Sequence, residues 1–244
     1  DEWIGQTVTL KWGLTKSSNN ISAYLMKQYG PHAMVDMMRK MGVGCYLDPV
    51  NSLCVGSADI TVYEMVAAYN TFPSKGVFVS PMFVTRIEDR HGNVLAEFSP
   101  TSTVAISEQT AYTMIDMLRA VVQRGTGGRL IRDYGQAATE VGGKTGTSQE
   151  NRDAWFMCVA PNLVGGVWVG GEERYIHFNS MAHGQGASMA LPIYGAYMSK
   201  VYADKSLPYS QDITFKFPSH INLCEKEDFG EEYTETTEES IEGV

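Results

Sequence analysis

Residues 141–160, VGGKTGTSQENRDAWFMCVA, decide the fold. Val141 to Thr147 is a Gly-rich segment carrying Lys144, Thr145 and Thr147, and a polar turn follows it. The apolar run from Ala154 to Ala160 then reads as a buried strand that ends at the turn signal Pro161-Asn162. With Val164 to Gly170 behind it, the pattern predicts three consecutive short strands of an antiparallel sheet. The first strand has almost no side-chain bulk, which suits an edge that another chain or ligand approaches. Lys144 brings a fixed positive charge, and Thr145 and Thr147, at alternate positions, place two hydroxyls on one face. An edge of this kind can pair with an extended peptide and hold a carboxylate at its end. The triplet Lys144-Thr145-Gly146 alone is equally compatible with a glycine-softened edge strand, so its surroundings decide.

Upstream, Ser107 caps a helix whose face is lined by Ala111, Met114, Ile115, Leu118 and Val121. Gly125 ends it, and Arg124-Gly125-Thr126-Gly127-Gly128 reads as a turn that a plain helix stop explains. Val84 to Asp89 and Asn93 to Phe98 form a hairpin turning at His91-Gly92. Thr61-Val62-Tyr63-Glu64 is a capping box opening a helix with Met65, Ala68, Tyr69 and Phe72 on its apolar side. Before it lies a loop from Gly42 to Ser57, and residues 7–42 read as helical, broken at Thr15 to Asn20 and again where Pro31 follows Gly30. Downstream, His183-Gly184-Gln185-Gly186 is a loop at the foot of a last helix from Ala187 to about Lys200, with Pro192 near its start. The helical pattern stops at Asp204, and from Cys224 the chain is nearly all Glu, Asp, Thr, Ser and Gly, the composition of a disordered tail.

The net charge of −9 argues against a nucleic-acid partner. No apolar run is long enough to span a membrane. The chain opens at Asp1 already patterned as structure, which is the expectation for part of a longer, exported protein. Cys45, Cys54, Cys158 and Cys224 lack metal-type spacing. Cys158 is a small buried hydrophobe, and Cys45 and Cys54 flank a loop across which a disulfide is possible but not established by spacing. The five histidines are scattered as surface or turn residues.

The context of Lys144-Thr145-Gly146 resembles the penicillin-binding proteins, most closely the bifunctional class that also polymerises glycan. It carries Arg124-Gly125-Thr126-Gly127 before the triplet and Asp153-Ala154-Trp155-Phe156 after it. The long stretch from Gly56-Ser57-Ala58-Asp59-Ile60 through Asn70, Gly76 and Pro81 resembles the same class. So does Gly13-Leu14-Thr15-Lys16-Ser17-Ser18-Asn19, similar to the family's Ser-x-Asn motif on a loop between helices. Two registers exist, Ser17/Asn19 and Ser18/Asn20, and the Gly-Leu-x-Lys lead-in matches the family at Ser17 and Asn19. A helix cap explains the same residues without chemistry.

The resemblance implies an α+β fold of the β-lactamase/transpeptidase type, an antiparallel sheet flanked by helices with a mostly helical subdomain, and incomplete. Residues 1–203 form the C-terminal portion of a transpeptidase domain and residues 204–244 an extension, disordered from about 225. The implied activity is that of a serine-type D-Ala-D-Ala transpeptidase. It crosslinks peptidoglycan stem peptides through a serine acyl-enzyme and is acylated by β-lactams at the extracytoplasmic, periplasmic face of the bacterial inner membrane. Lys144, Thr145, Gly146 and Thr147 bind the substrate carboxylate, and the Thr147 N–H is one oxyanion-hole donor. Ser17 relays a proton to the leaving amine, and Asn19 orients the substrate amide. No metal or organic cofactor is called for. No serine has a lysine three residues on, so the family's Ser-x-x-Lys nucleophile motif is absent and the chain is expected to be inactive alone. The expected partners are stem peptides ending in D-Ala-D-Ala, β-lactams, and the N-terminal part of the same protein, including an upstream glycan-polymerising domain. Two rivals remain: a non-catalytic β-lactam- or muropeptide-binding scaffold, and a serine β-lactamase.

Overall fold

The computed structural model describes residues 6–136, 140–173, 175–221 and 223. Cys224 and the acidic stretch 225–244, read above as a disordered tail, lie outside the described residues.

The N-terminal helical stretch is three helices: α1 (Leu10–Lys16), α2 (Asn19–Tyr29) and α3 (Pro31–Lys40). The first helix opens at Leu10 rather than at residue 7, and the break expected over Thr15 to Asn20 narrows to Ser17 and Ser18, while the break at Gly30-Pro31 falls where the sequence places it. Thr9 caps α1 through its side chain, and Gly30, at φ +79°, turns the chain so that Pro31 can open α3. A short 3-10 segment, Asn51–Val55, lies within the following loop. Next comes α4 (Val62–Tyr69), whose Thr61–Glu64 capping box forms as the sequence predicts. The Glu64 carboxylate does more than cap, because it also accepts from the backbone N–H groups of Gly44 at 2.9 Å and Cys45 at 2.8 Å. It thereby pins the loop to the helix start.

Then follow β1 (Val77–Val79), β2 (Arg86–Glu88), β3 (Val94–Glu97) and β4 (Ser102–Val104). The β2–β3 hairpin is the one read from the sequence, and it projects from a second pair, β1 with β4, that the sequence did not reveal. Strands of three residues carry too few alternations to be recognised.

The chain continues as α5 (Glu108–Arg124), capped by Ser107, and α6 (Arg129–Tyr134). The strands β5 (Gly142–Thr147), β6 (Asp153–Ala160) and β7 (Leu163–Gly170) follow, then α7 (Met181–Gly184) and α8 (Ala190–Ala203). Two expectations are corrected here. Helix α6 follows the turn 124–128 and has no counterpart among the sequence expectations, six residues being too short for a helical period to emerge. His183 and Gly184 belong to a short helix rather than a loop, and α8 starts at Ala190, not Ala187. Pro192 sits in the first turn of α8, where its lack of an N–H costs nothing.

The three strands pair antiparallel in the order β5-β6-β7, with Lys144 opposite Met157 and Phe156 opposite Val167. Strand β6 is buried on both faces, which explains its unbroken apolar run. Phe156, Cys158 and Ala160 pack against Leu191, Tyr194 and Met198 of α8, with Phe156 and Tyr194 edge to face at 5.3 Å. Val159, on the opposite face, packs with Ile115 and Leu118 of α5 and with Phe72. The architecture is α+β, a small antiparallel sheet with helices on both faces. Cys45, Cys54 and Cys158 are free thiols, so the disulfide considered between the first two is not formed.

Beyond α8 the described chain packs back on the domain as far as Phe217. Phe215 and Phe217 pack onto Tyr112, Ile115 and Leu118. The Phe215 N–H donates to Glu140 at 2.8 Å, and Arg119 pairs with the same carboxylate at 3.0 Å while lying 5.6 Å above the Phe217 ring. Burying one Phe side chain contributes about 1.5–3 kcal/mol, so this strap adds to stability rather than decorating the surface. Among the described residues no helix is long and apolar enough to cross a membrane.

Candidate active site

Helix α1 delivers the first group. It is held on α5 by the Lys11–Asp116 ion pair at 2.9 Å, and its inner face buries Trp12 and Thr15. The helix ends in Ser17, whose φ of +55° and ψ of +46° are left-handed. The N–H groups of Ser17 and Ser18 close the end on the carbonyls of Leu14 at 3.1 Å and Gly13 at 2.9 Å. Glycine is the usual residue at such a helix end, and a side chain there costs about 1–2 kcal/mol. A serine held in this conformation keeps a side-chain hydroxyl at a position where glycine would be less strained.

Strand β5 delivers the second. The Lys144 ammonium donates to Ser17 Oγ at 2.6 Å and to the Thr145 carbonyl at 2.7 Å. Of the two Ser-x-Asn registers, Ser17/Asn19 is therefore the one whose serine meets the lysine. Burial pulls Lys144 down to about 8 from the ordinary lysine value, and among the described residues no carboxylate pairs with it. The expectation of a fixed cation is corrected by this: the group is charged at neutral pH but within reach of its neutral form. Because Lys144 is the donor, the Ser17 hydroxyl proton is free to point away from it. Asn19 opens α2 and is exposed.

The register of β5 on β6 separates the cation from the hydroxyls. Lys144 and Gly146 share a face with Met157 and Trp155, whereas Thr145 and Thr147 share the other with Phe156 and Ala154. A carboxylate at this strand is thus met along the edge, between the faces, and not by three groups on one face. Neither hydroxyl is idle. Thr145 Oγ1 lies 2.7 Å from Thr126 Oγ1, and Thr147 Oγ1 accepts from the Gly186 N–H at 3.1 Å. Gly186 lies so close over the strand that a methyl there would stand 2.3 Å from the Trp155 carbonyl oxygen and 2.4 Å from that of Gly146.

Thr126 and Gly186 are the site neighbours that sequence reasoning missed. Arg124-Gly125-Thr126-Gly127 read as a helix stop, and nothing local in either loop distinguishes a turn that ends a helix from one that also touches a strand. Asp153, at the head of β6, closes the β5–β6 turn: it accepts from Trp168 Nε1 and from Ser148 Oγ, each at 2.9 Å. Among the described residues no group of His, Cys, Asp and Glu side chains is arranged to hold a metal ion.

A half-buried lysine on a sheet edge thus meets a serine at the junction of two helices, and the triplet it opens, Lys-Thr-Gly, is a motif of the penicillin-recognising acyl transferases. The family profile described as the penicillin binding protein transpeptidase domain matches residues 2–171, and the chain belongs to that family. Among its relatives, penicillin-binding protein 1A of Aquifex aeolicus is 34% identical over 202 residues, 82% of this chain and 27% of the relative. Penicillin-binding protein 1B of Vibrio cholerae is 31% identical over 209 residues, 85% of this chain and 26% of the relative. The chain therefore spans about a quarter of the length of these relatives. The same fold occurs in the crystal structure of penicillin-binding protein 1A from Haemophilus influenzae, with a TM-score of 0.73 at 20% identity over 85% of this chain and 36% of that one. It occurs again in the PonA1 protein of Mycobacterium tuberculosis in complex with penicillin V, with a TM-score of 0.71 at 22% identity over 89% of this chain and 62% of that one. At these identities the structural likeness carries the fold, β-lactamase/transpeptidase-like, and no more.

Proposed function

We propose that this chain supplies the carboxylate-binding and proton-relay half of a peptidoglycan D,D-transpeptidase that forms a serine acyl-enzyme and is acylated by β-lactams. The observation that carries this reading is the contact of Lys144 with Ser17. In the proposed reaction a serine hydroxyl outside residues 1–244 gives its proton to a base of its own segment and attacks the penultimate D-Ala carbonyl, and the bond to the terminal D-Ala nitrogen breaks. Ser17 Oγ gives its proton to that nitrogen and is reprotonated by Lys144 Nζ, which at about 8 is matched to passing a proton near neutral pH. The Lys144 ammonium and the hydroxyls of Thr145 and Thr147 hold the substrate carboxylate at the strand edge, and Gly146 lets it approach. The Thr147 N–H is one oxyanion donor, and Asn19 orients the substrate amide.

No serine of the chain has a lysine three residues on, so the nucleophile is to come from a segment outside residues 1–244. The partners are stem peptides ending in D-Ala-D-Ala, β-lactams and that segment, and the setting is the periplasmic face of the inner membrane. The same sequence fact supports a second reading, a domain that binds a β-lactam or muropeptide without turnover.

The test is mass spectrometry of the 244-residue chain after exposure to labelled penicillin, with and without a Ser-x-x-Lys-bearing upstream segment added in trans. Label on the added segment alone is expected. A stoichiometric adduct on the chain itself overturns the assignment of the nucleophile. Reversible penicillin binding with no adduct in either arm establishes the non-catalytic reading instead.

A further inference from the structure

We propose that Thr126 is a positioning residue, which acts through the Thr145 hydroxyl to hold Lys144 against Ser17. The inference rests on the transpeptidase reading for its importance, but its geometry stands independently.

The turn after α5 touches both halves of the site. On one side Gly125 packs on the end of α1, where a methyl in its place would lie 2.4 Å from the Thr15 carbonyl oxygen, two residues before Ser17. Thr15 is itself fully buried and bonded to the Lys11 carbonyl at 2.7 Å, so that contact is made with a fixed element. On the other side the Thr126 hydroxyl is 2.7 Å from the Thr145 hydroxyl on β5. Thr145 is the residue whose carbonyl accepts the second hydrogen bond of the Lys144 ammonium, at 2.7 Å. Among the described residues the Thr145 peptide belongs to an edge strand, so on its outer side no described strand holds it. The hydrogen bond from the turn supplies that restraint. Ser17 and Lys144 are 127 residues apart in the chain, and the two-residue link Gly125-Thr126 touches both of the elements that carry them.

Two threonine hydroxyls in contact share one hydrogen bond, and each retains a methyl group that a valine reproduces. Thr126→Val therefore deletes the bond without changing the shape of the turn, whereas Thr126→Ser keeps it. Thr126 is exposed, so neither change removes a core group.

The readout is the titration of Lys144 in the full 244-residue chain, followed by NMR of lysine labelled at Cε and identified with Lys144→Arg. With the restraint gone, Lys144 gains access to water and its midpoint is expected to rise from about 8 by about one pH unit in Thr126→Val, and to stay in place in Thr126→Ser. In a Thr145→Val background, Thr126→Val should produce no additional shift, because the partner it acts through is already gone. A Thr126→Val midpoint equal to that of the parent, or an additional shift of full size in the Thr145→Val background, overturns the proposal. Neither measurement uses catalysis. A shift seen in a chain whose Lys144 proves irrelevant to penicillin would sink the transpeptidase reading and leave the positioning role intact.

Discussion

The Lys144 ammonium stands 2.6 Å from the Ser17 hydroxyl across 127 residues of chain. One partner is offered by a serine in a left-handed helix end, the other by a lysine partly withdrawn from water. Each arrangement costs free energy on its own, and their coincidence at one contact marks the site.

The withdrawal of Lys144 has a pH signature. Its folded value is lowered to about 8 against an ordinary 10.5, so between these the unfolded chain binds more protons than the folded one. Stability therefore rises as pH goes from about 8 to 10.5, by about 1–2 kcal/mol after allowing for the group's partial exposure. Urea unfolding across this range should show the rise in the parent chain and a smaller one in Lys144→Met. Parallel profiles for the two would place Lys144 in water.

Lys144→Ala, in a protein that carries the nucleophile, should slow acylation by penicillin about ten- to a hundredfold, since a charge-assisted hydrogen bond contributes about 1.5–3 kcal/mol. Ser17→Ala should slow it as well while leaving the unfolding midpoint nearly unchanged, because Ser17 is exposed. Stopped-flow labelling measures both, and unchanged rates would remove the pair from the reaction.

Glu64 binds the start of α4 to the loop before it, through Thr61, Gly44 and Cys45. Its hydrogen bond from the Thr61 side chain is the largest of the effects that hold its carboxyl below the usual glutamate range. The stability it brings is present above that range and is lost as pH falls through the lowered value. Glu64→Ala should cost about 1–2 kcal/mol at neutral pH, and the difference from the parent should shrink in acid. Thermal melts at both pH values check this.

Phe215 is expected to be part of the core even though it lies beyond the last helix. Phe215→Ala should destabilise the chain by about 3 kcal/mol, read as a lower denaturation midpoint with little change in slope. A variant as stable as the parent would show that the strap does not dock in solution.

Much of the architecture was legible in residues 141–160 and their flanks because its signals are local. The Thr61–Glu64 box, the Pro31 start, the Ser107 cap and the run 154–160 each act within a few residues, so their chemistry specifies structure before any folding partner is known. The pairs and short helices that escaped notice, β1 with β4, α6 and α7, have three to six residues each and are stabilised by what they pack against. The candidate residues Ser17, Asn19 and Lys144 to Thr147 were likewise visible as types in a pattern. Their arrangement was not. That Lys144 faces away from Thr145 and Thr147 follows from the pairing of β5 with β6, and its lowered pKa follows from burial. That Ser17 rather than Ser18 meets it follows from the docking of α1 on α5 through Lys11 and Asp116. Burial and long-range contact are properties of the packed chain, since they depend on which distant surfaces exclude water from a residue, and no window of sequence contains them.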